Sequence, residues 1–432
     1  MKRSERTAAL LILAIVAATS APSGAAVWSG TTTVEDGVTI INNPADPMAD
    51  EVVVATEELW RIGGEDDEEG LLLGLITDVV VDEAGLAYVL DSTMSNILVV
   101  APDGEILRTL GRAGDGPGEF RSGQEIEFMP DGSLGVLELM PGKFVTMDRE
   151  GVPTSGWRIA DTAENGGMLH LRHAEAGPAG LVTGYVSTSF GDGGVVITHA
   201  LGRYDADGAR AATILSREET QSGGAISLSL GGGDDFTGRF TVLPDGRVAV
   251  FRRAQAYEIE LFALDGSHEM TIKREYESLR RSDEDIAADR EQAEELSARY
   301  GGNAGPPVPE FAQDILRVVA RADGELWVLS SRGLDDCPEG HLGIFDVYDD
   351  RGRFVRTLSL AADYDKDNDR FQIFGDRLFV FKEAQNAPDR TYTGGAGGGG
   401  GMVMVVAGRN QDEDDEGDVD SEPYEVVCYR LP

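Results

Sequence analysis

Short apolar runs rich in β-branched residues recur along the chain, and polar turns separate them. Each repeat has a β-rich run, a tight turn ending in Gly, a second run, a gap, a third run, a second tight turn and a fourth run. The first turns lie at Asp82–Gly85, Pro130–Gly132, Ala174–Gly180, Pro244–Gly246, Ala322–Gly324 and Gly375–Asp376. Asp and Gly suit hairpin turns that need positive φ. The pattern predicts four-stranded antiparallel blades.

The second turns form a parallel set at Ala101–Gly104, Asp148–Gly151, Asp205–Gly208, Ala263–Gly266 and Asp349–Gly352. A sixth repeat ends the chain with three strands, the last of which is Tyr424–Pro432. Its missing strand matches EELWRIGG at Glu57–Gly64, which is similar to EILRTLGR at Glu105–Arg112. A closed ring removes exposed sheet edges. The sequence therefore predicts an all-β fold, a six-bladed β-propeller over residues 57–432 that the N-terminal strand closes.

The first 25 residues have the pattern of a signal peptide. Lys2, Arg3 and Arg6 precede an apolar run at Ala8–Thr19, and small residues suited to cleavage follow it. The run is too short to span a hydrocarbon core of ~30 Å. We expect residues 1–25 to be removed and residues 26–56 to form an N-terminal extension. The mature protein should be periplasmic or secreted, with no membrane span.

Two groups of residues carry a resemblance to a known family. Tyr88–Gly104, followed by GRAGDGPGEF at Gly111–Phe120, resembles an NHL repeat and its inter-blade loop. Further along, IFDVYDDRGRFVRTL and YEVVCYRL are similar to the last blades of exported bacterial six-bladed propellers. The resemblance covers residues 57–432 and implies a propeller of the NHL-repeat class.

Antiparallel blades send alternate connections to opposite rims. The Asp/Gly turns all belong to one rim, here called the tight-turn rim, and the long excursions belong to the other, the long-loop rim. The largest excursion, Glu275–Gln313, lies between blades four and five. It contains a helix predicted by the Ser282–Asp285 capping pattern, either a buttress on the rim or a flap over the channel. Long irregular segments are usually functional or disordered, so we expect function on the long-loop rim.

Candidate ligand-binding residues lie on this rim and near the starts of the inner strands that line the channel. They are Arg112, Arg121, Gln124, Glu125, Arg317 and Asp335, accompanied in the channel by Asp78 and Gln372. Arg112 and Arg121 flank one loop and could hold an anion, although paired surface charge is the favoured interpretation. The mixture of charge signs favours ligand recognition over a calcium cage.

Motifs for a named reaction are absent from the sequence, which has no GxSxG elbow, HExxH pair or Walker loop. His170 and His173 stand three apart in a predicted strand and should lie on opposite faces. Two loops, Asp363–Asp369 and Asp412–Asp420, have alternating carboxylates that suit calcium. Each departs from the calcium-loop pattern, so we expect solvated acidic loops and no metal or cofactor. The second belongs to a Gly-rich and acidic loop at about residues 384–422.

The formal charge of −40, from 37 basic and 77 acidic residues, opposes binding to nucleic acid or anionic membranes. Two cysteines, Cys337 and Cys428, leave a disulfide possible in an oxidising compartment. Together the observations predict a monomeric exported binding module for a protein, peptide or carbohydrate of the cell envelope. The alternative is a propeller hydrolase or lyase, lactonase or strictosidine-synthase-like, with an axial divalent cation. The same fold hosts both.

Overall fold

A computed structural model describes residues 27–64, 71–139, 142–159, 168–191, 194–221, 227–229, 235–300, 308–384, 403–405 and 424–431. Within these ranges the chain is almost entirely β-structure, and its sheets form the predicted six antiparallel blades. The first strands are β1 (Thr31–Glu35), β2 (Val38–Asn43), β3 (Val52–Ala55) and β4 (Glu57–Gly63). They precede blade 1. The signal-peptide prediction lies outside the described residues.

Blades 1 to 3 follow in chain order, each beginning with its inner strand. Blade 1 contains β5 (Ile76–Val81), β6 (Ala87–Asp91), β7 (Asn96–Val100) and β8 (Ile106–Leu110). Blade 2 contains β9 (Gly123–Phe128), β10 (Leu134–Glu138) and β11 (Lys143–Met147), and isolated bridges from Pro153 and Trp157 continue its outer edge. Blade 3 contains β12 (Met168–Gly177), β13 (Gly180–Gly191), β14 (Gly194–Tyr204) and β15 (Arg210–Gln221). Its strands of 10 to 12 residues are about twice the length of those in blades 1 and 2.

The remaining strands complete blades 4 to 6. After β16 (Ser227–Ser229), blade 4 contains β17 (Phe240–Val242), β18 (Val248–Val250), β19 (Glu258–Phe262) and β20 (His268–Arg274). Blade 5 contains β21 (Ile315–Ala320), β22 (Leu326–Ser330), β23 (His341–Tyr348) and β24 (Phe354–Ala361). Blade 6 contains β25 (Arg370–Phe374), β26 (Arg377–Lys382) and β28 (Glu425–Arg430). Between the last two lies β27 (Val403–Val405), which pairs in parallel with β16.

The N-terminal strand closes the ring as predicted. β4 pairs antiparallel with β28, which places Trp60 opposite Cys428 and makes β4 the fourth strand of blade 6. The extension before it also forms strands, which the sequence did not predict. β2 pairs in parallel with β20 of blade 4, β1 pairs with β2, and β3 pairs in parallel with β24 of blade 5. The chain therefore runs along the outside of blades 4 and 5 before it completes blade 6.

The tight turns are held by their Asp side chains. Asp82 Oδ1 accepts hydrogen bonds from the backbone N–H groups of Ala84 and Leu86, both at 2.9 Å. Gly85 has a φ of 83°, the left-handed region that glycine adopts without steric penalty. Asp148, Asp205 and Asp349 accept equivalent bonds in their turns. The Asp/Gly pattern therefore reflects a local side-chain-to-backbone bond that fixes each hairpin.

The excursion between blades 4 and 5 contains the predicted helix, α1 (Asp283–Tyr300). Its N-cap is the predicted one, because Ser282 Oγ accepts from the Asp285 N–H (3.0 Å) and donates to Asp285 Oδ2 (2.7 Å). Ile286 is buried, whereas most neighbouring helical residues are exposed. A second, short helix, α2 (Ser331–Asp335), follows β22. No described helix is long and apolar enough to cross a membrane.

The core is divided among the faces between neighbouring blades. Blades 1 and 2 bury Tyr88, Leu90 and Ile126, for example, and blades 5 and 6 bury Phe345, Leu360 and Leu378. The other four interfaces each have a comparable apolar cluster. Apolar packing thus holds the blades face to face, and the inner edges of the innermost strands are left to line the channel.

Candidate functional site in the central channel

The inner strands place one polar side chain each at matched positions in the channel. Seven residues before the Gly of the first turn stand Asp78, Glu125, His173, Arg239 and Arg317, in blades 1 to 5 respectively. Side chains two residues apart in a strand share a face, so Glu127 and Glu175 form a second layer nearer the tight turns. Blade 6 contributes Gln372 from β25. The channel wall is therefore polar around its whole circumference.

Several of these side chains fasten one blade to the next. The innermost strand of a sheet presents unpaired backbone groups along its free edge. Asp78 Oδ2 accepts from the Ile126 N–H of blade 2 (2.8 Å), and Glu125 Oε2 accepts from the Ala174 N–H of blade 3 (2.9 Å). Gln372 pairs with both backbone groups of Val79, accepting from N–H at 3.2 Å and donating to C=O at 3.1 Å. Polar side chains thus satisfy the inner edge of the following blade.

The pattern continues around the ring. Thr241 Oγ1 of blade 4 donates to Glu175 Oε1 of blade 3 (3.1 Å), and the Val242 N–H also bonds to Glu175. Arg239 of blade 4 donates to the Ile315 C=O of blade 5. These contacts give Asp78, Glu125, Glu175, Arg239 and Gln372 a structural role in addition to any role in ligand binding.

Two charged residues of the wall are not used in this way. Among the described residues, neither Glu127 nor Arg317 has a hydrogen-bond partner. The Arg317 guanidinium lies over the Phe371 ring at 4.8 Å, and burial lowers its pKa, with a further contribution from the charge of Arg370. Glu127 lies among Asp78, Glu175 and Glu125. Both residues therefore present an ionisable group without a hydrogen-bond partner to the channel.

Three carboxyl groups of the channel wall, on blades 1 to 3, have raised pKa values. Burial, followed by the charge of Asp78 and Glu175, raises the pKa of Glu127 well above its usual range. Burial also raises the pKa of Asp78 to about 7, with help from Glu125, and that of Glu175 to about 7. Carboxyl groups with such pKa values can exchange protons near neutral pH. These raised pKa values distinguish the channel wall of blades 1 to 3 from the rest of the wall.

His173 is the positively charged residue among the acids of blades 1 to 3. Its Nδ1 lies 2.8 Å from Glu125 Oε1, and the two side chains are 29% and 22% exposed. Burial alone would lower the pKa of His173, but the charges of Glu125, Glu175 and Glu127 raise it to about 9. The imidazole is therefore protonated at neutral pH.

The structure pairs the two rim arginines with neighbouring acids. Arg112 bonds to Glu119 (Nε to Oε1, 2.7 Å), and Arg121 makes a bidentate pair with Asp115 at 3.0 and 2.9 Å. The Arg side chains remain 79% and 61% exposed. This is the paired surface charge that the sequence favoured, placed on the loop between blades 1 and 2.

The other candidates are spread over the rim and the channel. Gln124 and Glu125 are consecutive in β9, so their side chains point to opposite faces, and Glu125 belongs to the channel. Asp335 ends α2 and pairs with Lys366 at 3.3 Å. Of the six candidates, the structure brings Glu125 and Arg317 to the channel wall. Arg112, Arg121 and Asp335 lie on connections of the long-loop rim.

The prediction that His170 and His173 lie on opposite faces of their strand was wrong. A bulge at Arg172 shifts the register, so His170 lies opposite Val186 and His173 opposite Gly184. Partners two residues apart place both histidines on the same face, because the bulge adds one residue to the alternation. His170 is buried at 2% exposure, whereas His173 reaches the channel.

Asp78, Glu125 and His173 do not fit an axial divalent cation. The oxygens of Asp78 and Glu125 already accept hydrogen bonds from neighbouring blades, and His173 is protonated rather than free to coordinate. Within the described ranges, no group of three or more His, Cys, Asp or Glu side chains is placed to hold a metal.

The first acidic loop holds its own counter-ion. Lys382 Nζ donates to Asp369 Oδ2 (3.0 Å), whose carboxylate is 2% exposed, and the Asp365 N–H also donates to Asp369 Oδ2 (2.9 Å). An ammonium group therefore occupies the place that a cation would take. The second acidic loop lies outside the described residues. Cys337 and Cys428 are both free thiols.

Comparison with known proteins gives matches at the level of structure. No protein-family model and no curated protein matches the sequence. A member of the DUF4221 family from Bacteroides vulgatus is similar at 9% identity and a TM-score of 0.45, over 87% of this chain and 97% of that one. Virginiamycin B lyase from Staphylococcus aureus is similar at 12% identity and a TM-score of 0.36, over 76% and 82%. Because the sequence identities and TM-scores are this low, the functions of these proteins are not attributed to this chain.

Proposed function

We propose that this chain is an exported binding module that holds a ligand or partner on the long-loop rim and at the mouth of the channel. The observation that carries the proposal is the unequal elaboration of the two rims. α1 leaves on the long-loop rim, as do the connections that contain β16 and β27. The extra length of the blade 3 strands lies on this side too, because their turns at Gly180 and Gly208 align with the tight-turn rim.

Exposed apolar side chains on the long-loop rim support the same proposal. Phe190, at the tip of the β13–β14 hairpin, is 60% exposed, and Phe311, after α1, is 39% exposed. Exposed aromatic side chains near a polar rim are typical of binding surfaces. The ligand class that we propose is a peptide, protein or carbohydrate of the cell envelope. The signal-peptide pattern and the NHL-like motif at Tyr88–Gly104 support export and a binding role.

The experiment compares matched substitutions on the two rims. Mature protein is screened by thermal shift against peptides and oligosaccharides from bacterial envelopes, and affinities are measured for those that bind. Phe190→Ser and Phe311→Ser should weaken binding, whereas Val152→Ser and Leu264→Ser, with similar exposure on the tight-turn rim, should not. Charge reversal at Arg112 or Arg121 should also weaken binding. Equal losses on both rims would refute the assignment.

The alternative, a propeller hydrolase or lyase with an axial divalent cation, has one supporting observation. Asp78 and Glu175 have pKa values of about 7, which suits general acid–base chemistry. Asp78, Glu125 and His173 do not fit the cation that this alternative requires. We therefore favour the binding module.

A further inference from the structure

The charges of the channel wall are divided between two halves. Blades 1 to 3 contribute Asp78, Glu125, Glu127 and Glu175, and blades 4 to 6 contribute Arg239, Arg317 and Arg370. His173 is the cation among the acids and is held by Glu125. The wall thus has an acidic side and a basic side.

Each side of the wall has ionisable groups that lack a hydrogen-bond partner, and two of these groups belong to opposite blades. Glu127 is the acid of this wall without a hydrogen-bond partner among the described residues, and Arg317 and Arg370 are the bases without one. Arg370 is exposed to solvent, whereas Arg317 is partly buried and lies over Phe371, so Arg317 is the better placed of the two to pair with a ligand. Glu127 belongs to blade 2 and Arg317 to blade 5, which are opposite one another in a ring of six. Glu127 lies two residues further along its strand from the long-loop rim, roughly 7 Å deeper. A molecule that entered from this rim would meet Arg317 first.

Unsatisfied charge in a confined site favours a ligand of complementary charge. An Arg guanidinium pairs well with a carboxylate, particularly where its face is already covered by an aromatic ring. A carboxylate among other carboxylates gains most from a cation. We propose that the channel binds a small zwitterion, whose carboxylate pairs with Arg317 and whose ammonium group pairs with Glu127. This inference rests on the proposed binding function and names the class of its ligand.

Free amino acids and short peptides both carry these two groups. The separation of the charges distinguishes them, because the ligand must reach across the channel and downward between layers. Titration calorimetry would therefore use two series, ω-amino acids from glycine to 6-aminohexanoate and glycine peptides from two to four residues. Butylamine and butanoate serve as probes that carry one charge each.

The expected result is an affinity maximum at one charge separation, in one or both series, with much weaker binding of butylamine and butanoate. Glu127→Gln and Arg317→Gln should each weaken the best ligand by about thirtyfold or more. Glu83→Gln and Arg351→Gln, which are exposed on the tight-turn rim, should leave the affinity unchanged. Butylamine binding should depend on Glu127 and not on Arg317.

A measurement on the unsubstituted protein guards against variants that fail to fold. Burial and the neighbouring carboxylates raise the pKa of Glu127, and pairing with an ammonium group would lower it again, so any proton exchanged on binding should be released. The binding enthalpy should therefore vary with the ionisation enthalpy of the buffer and indicate proton release. Proton uptake on binding, or equal affinity for butylamine, would overturn the proposal. If envelope ligands bind through Phe190 and Phe311 but zwitterions do not, the ligand class is wrong and the proposed function stands.

Discussion

Asn43 is the residue whose loss should most clearly weaken the attachment of the N-terminal extension. It ends β2 and is 2% exposed. Its Nδ2 donates to the Lys273 C=O (3.1 Å) and the Gly352 C=O (2.9 Å), while Oδ1 accepts from Trp28 Nε1 (2.9 Å) and the Phe354 N–H (2.8 Å). One carboxamide therefore joins the extension to blades 4 and 5. All of its hydrogen-bonding positions are used.

The magnitude follows from the groups that Asn43→Ala would leave unpaired. The bonds to Gly352 and Phe354 are buried, so these two backbone groups would lose their partners away from water, at about 1–3 kcal/mol each. Lys273 and Trp28 make part-buried bonds and can turn to solvent. We expect the free energy of unfolding to fall by about 4 kcal/mol. With an unfolding entropy of about 2.1 cal/mol/K per residue over roughly 400 residues, Tm should fall by about 5 °C.

The assay is equilibrium unfolding in urea followed by tryptophan fluorescence, together with thermal unfolding. Asn42→Ala is the matched control, because Asn42 is the preceding residue of β2, is half-buried and has no side-chain bond among the described residues. It should change the free energy of unfolding by less than about 0.5 kcal/mol. Asn43→Asp, which keeps the shape but replaces two donors with an acceptor, should destabilise at least as much as Asn43→Ala. Similar losses for Asn42→Ala and Asn43→Ala would refute the reasoning.

Three further predictions concern closure, pH and metal. Deletion of Glu57–Gly64 should cause aggregation, measured by light scattering, because it exposes the edge of β28. Deletion of β1 is the control and should leave the protein monomeric. A monomeric protein of unchanged Tm after the first deletion would contradict ring closure by β4. The pKa values of Glu175 (about 7, usual value 4.5) and His173 (about 9, usual value 6.5) are raised, so the native state binds more protons and stability falls as pH rises through both windows. Each group contributes up to about 1.4 kcal/mol per pH unit to the free energy of unfolding. Glu175→Gln should therefore reduce the fall in that free energy between pH 4.5 and 7, measured by urea unfolding. An unchanged slope in this variant would contradict the raised pKa of Glu175. EDTA should leave Tm unchanged in the native protein and in Asp365→Ala, whereas Lys382→Met should lower it; a fall with EDTA that Asp365→Ala abolishes would identify a calcium site.

The blades and their closure could be predicted because their signals are local. Asp82 and Gly85 fix a hairpin within five residues, and Ser282 fixes a helix start within three. The extension could not be predicted in the same way. The pairing of β2 with β20 joins distant parts of the chain and involves no turn, so the sequence holds no local sign of it.

Part of the candidate channel site could be predicted from the positions of residues along the inner strands. Glu125 and Arg317 were found from their positions near strand starts, whereas Glu127, His173 and Glu175 were missed. Counting seven residues back from each turn Gly would have found His173, because the turns set a common register for the inner strands. The pairing of Arg112 and Arg121 within their own loop depends on its fold, which the sequence pattern does not specify.

Ring closure by β4 and β28 has a consequence for the time course of folding. Gly63 of β4 pairs with Glu425 of β28, so the two strands are far apart in the chain and β28 is synthesised long after β4. Contacts of such large sequence separation form slowly, since the cost of closing the loop precedes the gain from pairing. Blades 1 to 5 can therefore assemble before β28 joins blade 6 and pairs with β4. The complete ring would therefore form only after β28 had been synthesised.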